Sequence, residues 1–204
     1  MPKAQNKKKE YISIATNNHF NIIDILLLDH SYLKDCIDIL QIEGGDKKNK
    51  YKCAKSFLDA LKKHSAGEKK ALYAPLEDLK ELKFQVLEKE IEHGIIDTKV
   101  KVLSKKLMGS KSLTIEMDAE LHVLASLVER HVEDEEQLLF PLMKKVIEKE
   151  ILNQMGYQFM VFRQFTEKDL ADTDLKEEIP NIKKSESANR NFIQTTHEYF
   201  SSTR

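Results

Sequence analysis

Apolar residues recur every three or four positions along much of the chain, a pattern that predicts amphipathic α-helices. The first predicted helix runs from about Ile22 to Gln41 and ends before Gly44 and Gly45, which suit a C-terminal cap and a turn. Its inward positions are Ile23, Leu26, Leu27, Leu33 and Ile37. This segment is therefore expected to bury one face against other helices.

Three more helices follow from the same periodicity, over about Tyr51 to Ala74, Leu76 to Met108 and Leu113 to Met155. Pro75 separates the second from the third, and Pro141 marks a kink in the fourth. The predicted inward residues of the fourth helix are Leu124, Leu127, Val128, Leu138 and Leu142. Because short links join these helices, we predict an all-α fold, an up-down-up-down four-helix bundle.

The segments on either side of the periodic region lack its regularity. We assign residues 1–19 to a flexible basic tail, 20–155 to the bundle and 156–204 to a partly helical C-terminal extension. The extension carries an acidic stretch from Asp169 to Glu178, and Phe192 to Phe200 is a candidate helix within it. It is expected to pack on the bundle or to mediate association with a protein partner or a second copy.

Composition supports a cytoplasmic helical protein. The 204 residues include 33 Lys and Arg and 34 Asp and Glu, so no overall basic field favours nucleic acid or anionic membrane. The only cysteines, Cys36 and Cys53, are too few and too far apart for a thiolate metal site or a disulfide scaffold. No signal peptide is apparent, and the apolar run from Ile22 to Leu28 is far shorter than the roughly 20 residues that span a bilayer.

One pattern of polar residues occurs twice along the chain. Each copy reads an acidic residue and a histidine, then, one helix later, His-x-x-x-Glu followed by an aromatic residue five positions on. The first copy is Asp29-His30 with His64, Glu68 and Tyr73, and the second is Glu92-His93 with His131, Glu135 and Phe140. The spacing between the two histidines, 34 residues in one copy and 38 in the other, suits a helix, a turn and an antiparallel return. Two similar hairpins can then face each other.

The spacing within each pair has a chemical consequence. Residues four apart on a helix differ in direction by only about 40°, so both side chains can reach one point. Six such polar groups in a bundle core would be costly without partners, because each would leave water with nothing to bind. The sequence therefore predicts a metal site built from His30, His64, Glu68, His93, His131 and Glu135.

These motifs resemble the hemerythrin-like, His-His-Glu cation-binding family over roughly residues 20 to 155. The aromatic-containing sequences after each glutamate, Leu-Tyr73-Ala-Pro and Leu-Phe140-Pro, are similar to those of the family. The resemblance implies a four-helix bundle with a non-haem centre of two iron ions. If both glutamates bridge the ions and each ion takes two histidines, an oxo or hydroxo bridge leaves one open position per ion. Manganese or zinc would also accept these donors.

The resemblance points to a family subtype and to several functions. Oxygen-carrying hemerythrins have a fifth histidine four residues after the one that corresponds to His93, where this chain has Asp97. The set of four histidines and two glutamates is more similar to members linked to nitric oxide, oxidative stress and iron–sulfur cluster repair. We therefore expect a protein that binds or reduces O2, NO or peroxide. The alternatives are an iron or oxygen sensor that signals through the C-terminal segment, and an iron donor for cluster repair.

The remaining polar residues near the pattern receive no catalytic role. On an ideal helix Tyr73 lies about 140° from Glu68, which predicts a packing aromatic, and Asp29 and Glu92 point about 100° away from their neighbouring histidines. Asp97 has two interpretations, a metal ligand or a cap on the outward edge of the site. The other histidines, His19, His122 and His197, are predicted to have surface or structural roles.

Overall fold

The computed structural model describes residues 21–164, which form helices and connecting turns with no β-strand. Helix α1 is Ile22–Gln41, α2 is Lys47–Glu68, α3 is Lys83–Met108, α4 is Ile115–Asp134 and α5 is Lys149–Gln164. Helix α2 continues through a π-helical turn, Lys69–Tyr73, into Ala74–Leu76, and α4 continues through a second π-helical turn, Glu135–Leu139, into Phe140–Val146. The predicted all-α helical bundle is confirmed.

Side-chain caps fix where three of the helices begin. The Asn21 side chain accepts hydrogen bonds from the backbone amides of Ile23 and Asp24, and the Asn21 backbone amide donates to the Asp24 carboxylate. Thr114 caps α4 by accepting a hydrogen bond from the Met117 amide. Asp46 caps α2 through the Lys48 amide, which is why that helix begins at Lys47 and not at the predicted Tyr51.

Two further predicted helix boundaries differ from the structure. Residues 77–82 form turns after Pro75, so α3 begins at Lys83 and not at Leu76. The fourth helix does not run unbroken to Met155, because the backbone becomes extended at Ile147 and a separate helix, α5, follows. The predicted boundary between residues 155 and 156 therefore falls inside α5.

Helix α5 packs against α1, α2 and the first π-helical turn. Two glycines permit this close approach: a β-carbon at Gly67 would lie 2.7 Å from the Phe159 ring, and one at Gly156 would lie 2.9 Å from the backbone nitrogen of Ile22. Phe159 is fully buried in the contact. The fifth helix is thus an integral part of the core.

The π-helical turns change the direction of the side chains that follow them. The Ala74 amide donates to the carbonyl of Lys69, and the Phe140 amide donates to that of Glu135, five residues back in each case. As a result Leu139 is buried and Leu138, predicted to face inward, is 46% exposed. Leu27 was also predicted inward and is 40% exposed, at the edge of the buried face of α1.

Two hydrophobic clusters fill the bundle and leave a polar layer between them. One joins the start of α1, both π-helical turns and α5; the other joins the remaining lengths of α1 to α4. No helix within residues 21–164 is long and apolar enough to cross a membrane. The predicted N-terminal tail, the acidic stretch and the candidate helix Phe192 to Phe200 lie outside the described residues.

Candidate metal centre

All six predicted donor residues lie together in the polar layer, and each is at most 2% exposed. Their donor atoms form two overlapping groups, and within each group they lie within 4.8 Å of one another. We call His30 and His64 the first half-site and His93 and His131 the second half-site. The two glutamates belong to both groups.

Glu68 divides its two carboxylate oxygens between the half-sites. Its Oε1 lies 3.1 Å from Nε2 of His64 and 3.8 Å from Nε2 of His30, whereas its Oε2 lies 3.1 Å from Nε2 of His93. One oxygen thus faces each half-site. This is the arrangement expected of a carboxylate that bridges two ions.

Glu135 is arranged differently. Its Oε2 lies 3.4 Å from Nε2 of His30 and 3.7 Å from Nε2 of His131, while its Oε1 accepts a short hydrogen bond from the Tyr73 hydroxyl. That hydroxyl also lies 3.0 Å from Nε2 of His93. Tyr73 therefore belongs to the site, and its predicted role as a packing aromatic alone is wrong.

The reason is the π-helical turn Lys69–Tyr73. The ideal-helix wheel places Tyr73 away from Glu68, but a turn with one extra residue brings it back toward the face that carries Glu68. The corresponding aromatic, Phe140, follows the second π-helical turn and stacks on His30 with ring centroids 5.7 Å apart. The two π-helical turns therefore each bring one aromatic ring against a half-site, and only that of Tyr73 carries a hydroxyl.

Three carboxylates hold the outer ring nitrogens of the histidines. Nδ1 of His64 lies 3.3 Å from Asp29, that of His131 lies 2.8 Å from Glu92, and that of His30 lies 3.1 Å from Glu136. A carboxylate at this position fixes the ring and makes its inner nitrogen a stronger metal donor. Sequence reasoning missed these supporting contacts.

His93 is the exception among the four histidines. Its buried Nδ1 has no hydrogen-bond partner among residues 21–164. At the place in the repeat that corresponds to Glu136 the chain has Lys69, which forms an ion pair with Asp97. Asp97 is in neither donor group.

Helix α5 adds two contacts to the first half-site. The Phe159 ring lies edge-on to His64, with centroids 6.0 Å apart. Nε of Arg163 forms an ion pair with Oδ2 of Asp29 at 2.7 Å, and the same oxygen lies against His64. A segment assigned to the extension from the sequence therefore helps to position a candidate ligand.

The carboxylates keep the first half-site histidines basic despite their burial. Burial works to lower the pKa of His64, but Glu68 and Asp29 outweigh it and raise the pKa to about 9. For His30, burial is likewise outweighed by Glu135, Glu136 and Glu68, and its pKa lies well above the usual value. Because a metal ion binds the neutral imidazole, loading of this half-site displaces protons and is favoured by higher pH.

Unpaired polar atoms point to what the site holds. Nε2 of His30, Nε2 of His64, both oxygens of Glu68 and Oε2 of Glu135 are buried and have no hydrogen-bond partner among the described residues. They lie 3.1 to 3.8 Å from one another as histidine and glutamate ion pairs, and a cation between them could bind all of these atoms at once. The donor set therefore fits a metal ion in each group.

Comparison with known proteins agrees with this geometry. The family model described as Hemerythrin HHE cation binding domain matches residues 21–143, more than half of the chain. The chain belongs to this family. Hemerythrin-like domains bind metal ions, and the buried clusters of histidine and glutamate here could hold them. No curated protein and no solved structure matches the chain. Helix α5 lies beyond the matched hemerythrin domain.

His122, the other described histidine, lies on the outer surface of α4, as predicted. His19 and His197 lie outside the described residues.

Proposed function

We propose that this hemerythrin-like protein holds two non-haem iron ions and binds or reduces a small ligand, O2, NO or peroxide, at them. Five buried atoms without a hydrogen bond, gathered in the two donor groups, carry this proposal, because cations between them would bind all five. A dinuclear iron centre with open positions supplies the redox chemistry. Manganese and zinc are the alternative metals.

The surroundings of the site favour a small ligand over a large one. Phe140 and Phe159 lie against the first half-site, and both are at most 2% exposed. Such an apolar lining excludes water and favours small neutral ligands. The protein's role is accordingly expected in oxidative or nitrosative stress or in iron homeostasis.

Tyr73 supplies a hydroxyl at the site. Burial and then the nearby Glu135 and Glu68 raise its pKa well above the usual value, so it stays protonated. It can donate a hydrogen bond to a ligand that displaces its contact with Glu135. This group gives the second half-site a polar function that the first lacks.

Anaerobic reconstitution with ferrous iron tests the proposal. Elemental analysis is expected to find two iron ions per chain, and optical titration with O2, NO and peroxide is expected to give a spectral change with at least one of them. No response to any of the three would rule out ligand binding at the centre. His131→Ala should reduce the iron content, and His122→Ala, nine residues away on the same helix but exposed, should not.

A sensor is the second candidate, because α5 touches the site and leads directly into residues 165–204. In this case loading or oxidation of the iron would alter the contacts of Phe159 and Arg163 and so change the accessibility of the C-terminal segment. Limited proteolysis of apo, ferrous and ferric protein tests this. Identical cleavage of residues 149–204 in the three forms would remove the sensor.

A further inference from the structure

Helix α3 is apolar on two opposite faces. Its buried face packs against α2 and α4. The opposite face carries a row of exposed residues, which we call the outer stripe: Phe84 (73% exposed), Leu87 (47%), Ile91 (67%), Ile95 (48%), Thr98 and Val102 (46%). Exposed apolar residues are usually scattered, so a continuous row of them indicates a surface that another molecule covers.

The outer stripe has helical regularity. Successive members are three or four residues apart, and at 3.6 residues per turn they fall within a sector of roughly 80°. The polar group of Thr98 needs no external partner, because its hydroxyl donates to the Gly94 carbonyl at 2.8 Å. The stripe is therefore a narrow apolar seam, the shape that a second helix fits.

Charged residues beside the outer stripe indicate which helix could pack against it. Glu88 and Lys99 lie on the same flank, and within the described part of the chain neither forms an ion pair. They are eleven residues apart, about 16 Å along the helix, too far to pair within one chain. An antiparallel copy of α3 would place opposite charges against both.

We propose that the outer stripe is the interface of a symmetric dimer in which α3 packs antiparallel to α3 of a second copy. A two-fold axis near position 93 sets Phe84 against the partner's Val102 and Ile91 against the partner's Ile95. The same register sets Glu88 against the partner's Lys99, and symmetry repeats each contact. One arrangement thus pairs the apolar residues of the outer stripe and the charged residues Glu88 and Lys99 of this flank.

Gly94 supports close packing at the centre of this interface. It is exposed beside Ile91 and Ile95, and a β-carbon there would meet nothing within 4 Å. Glycine is unfavourable in the middle of a helix, so its presence at an exposed position needs a reason. Two helices that cross at this point can approach each other more closely.

The size of the seam sets the expected strength of the dimer. From Phe84 to Val102 the outer stripe is about 27 Å long, and one helix pair of that length lies near the lower end of specific interfaces. We expect a dissociation constant in the micromolar range. The proposal does not depend on the metal centre.

Sedimentation equilibrium of the full chain over a micromolar concentration series tests the dimer. Wild-type protein is expected to pass from monomer to dimer. Glu88→Lys or Lys99→Glu alone should raise the dissociation constant about tenfold by opposing like charges at two symmetric places. The double variant Glu88→Lys with Lys99→Glu should restore it, and only contact between chains explains such a rescue.

Ile91→Lys tests the apolar seam and should raise the dissociation constant by about a hundredfold, since two lysines would be placed near the axis. Ile115→Lys is the matched control, because Ile115 is 84% exposed on α4 and lies off the outer stripe. Circular dichroism checks that each variant folds. A wild-type chain that stays monomeric, or a double variant that fails to recover the dimer, would overturn the proposal. Either result would also be expected if the chain's own terminal segments covered the outer stripe.

Discussion

The two half-sites have the same kinds of donor residues but differ in the residues that surround them. His30 of the first half-site is held by Glu136, which also forms an ion pair with Lys34 at 2.7 Å. At the same place in the second half-site the charges are reversed, and Lys69 pairs with Asp97. A lysine cannot accept a hydrogen bond from an imidazole, so His93 lacks the support that His30 has.

This difference shows how two copies of one sequence motif can give half-sites with different surroundings. A reversed salt bridge keeps the helices joined, yet it removes one carboxylate from one half-site. The aromatic residues also differ between the half-sites. Phe140 covers His30 with an apolar ring, whereas Tyr73 places a hydroxyl beside His93. We therefore expect the first half-site to bind a metal ion more tightly and the second to offer it more readily to a ligand.

The largest effect is expected from Glu68, whose two oxygens face different half-sites. Glu68→Gln removes the negative charge that both half-sites use, so metal affinity should fall by more than about 100-fold at both. Elemental analysis after dialysis should find fewer than one ion per chain. Glu133→Gln, an exposed change on α4, is the control, and two ions retained by the Glu68 variant would contradict the bridging role.

Exchanging the two residues of the reversed salt bridge should give the second half-site the supporting carboxylate that it lacks. The double variant Lys69→Glu with Asp97→Lys places a carboxylate where it can accept from His93, as Glu136 does from His30, and should tighten the second half-site about tenfold. Glu136→Gln should weaken the first half-site by about as much. Stepwise optical titration with cobalt(II), compared with the exposed control Lys70→Glu, measures both.

Two equal binding steps in the wild-type protein would contradict this asymmetry. So would a double variant that leaves the weaker step unchanged.

That the six side chains lie together could be expected from the sequence, because the spacing within each pair depends on α-helical geometry. Glu68 ends α2 four residues after His64, and the Glu135 amide still donates to the His131 carbonyl one turn earlier, so each pair is aligned. Tyr73 and Leu138 were mispredicted because each follows the start of a π-helical turn, where the ideal wheel no longer applies.

The supporting carboxylates could not be predicted for a different reason. Asp29 and Glu92 do point away from their neighbouring histidines, but they point at histidines of the next helix, His64 and His131. Such contacts depend on how two helices are rotated relative to each other, which periodicity within one helix does not determine.

Tyr73→Phe gives the second half-site the same kind of aromatic as the first. Iron should be retained, while the affinity for NO or peroxide should fall about tenfold, equivalent to about 1.4 kcal/mol, because the hydroxyl that can donate to the ligand is lost. Optical titration of the ferrous protein measures this. Phe140→Leu keeps an apolar group at the corresponding place and serves as the control. An unchanged titration curve in the Tyr73 variant would show that the hydroxyl acts only on Glu135.

The place of α5 was also beyond the reach of the sequence pattern. The apolar periodicity continues through Ile147 and Ile151, so nothing in it separates α5 from the fourth helix. The extended backbone at Ile147 turns the chain back onto α1 and α2 and brings Arg163 to Asp29. Through Phe159 and Arg163, α5 therefore contacts the first half-site and not the second.

Arg163→Gln should consequently affect one half-site and spare the other. The Arg163 side chain is 26% exposed, so solvent screens its ion pair with Asp29 and the expected loss is small, about two- to threefold in affinity at the first half-site. The same cobalt titration resolves this, with Lys149→Gln at the exposed start of α5 as the control. A loss at both half-sites would mean that α5 supports the whole bundle, whereas a loss confined to one means that Arg163 acts through Asp29 on His64.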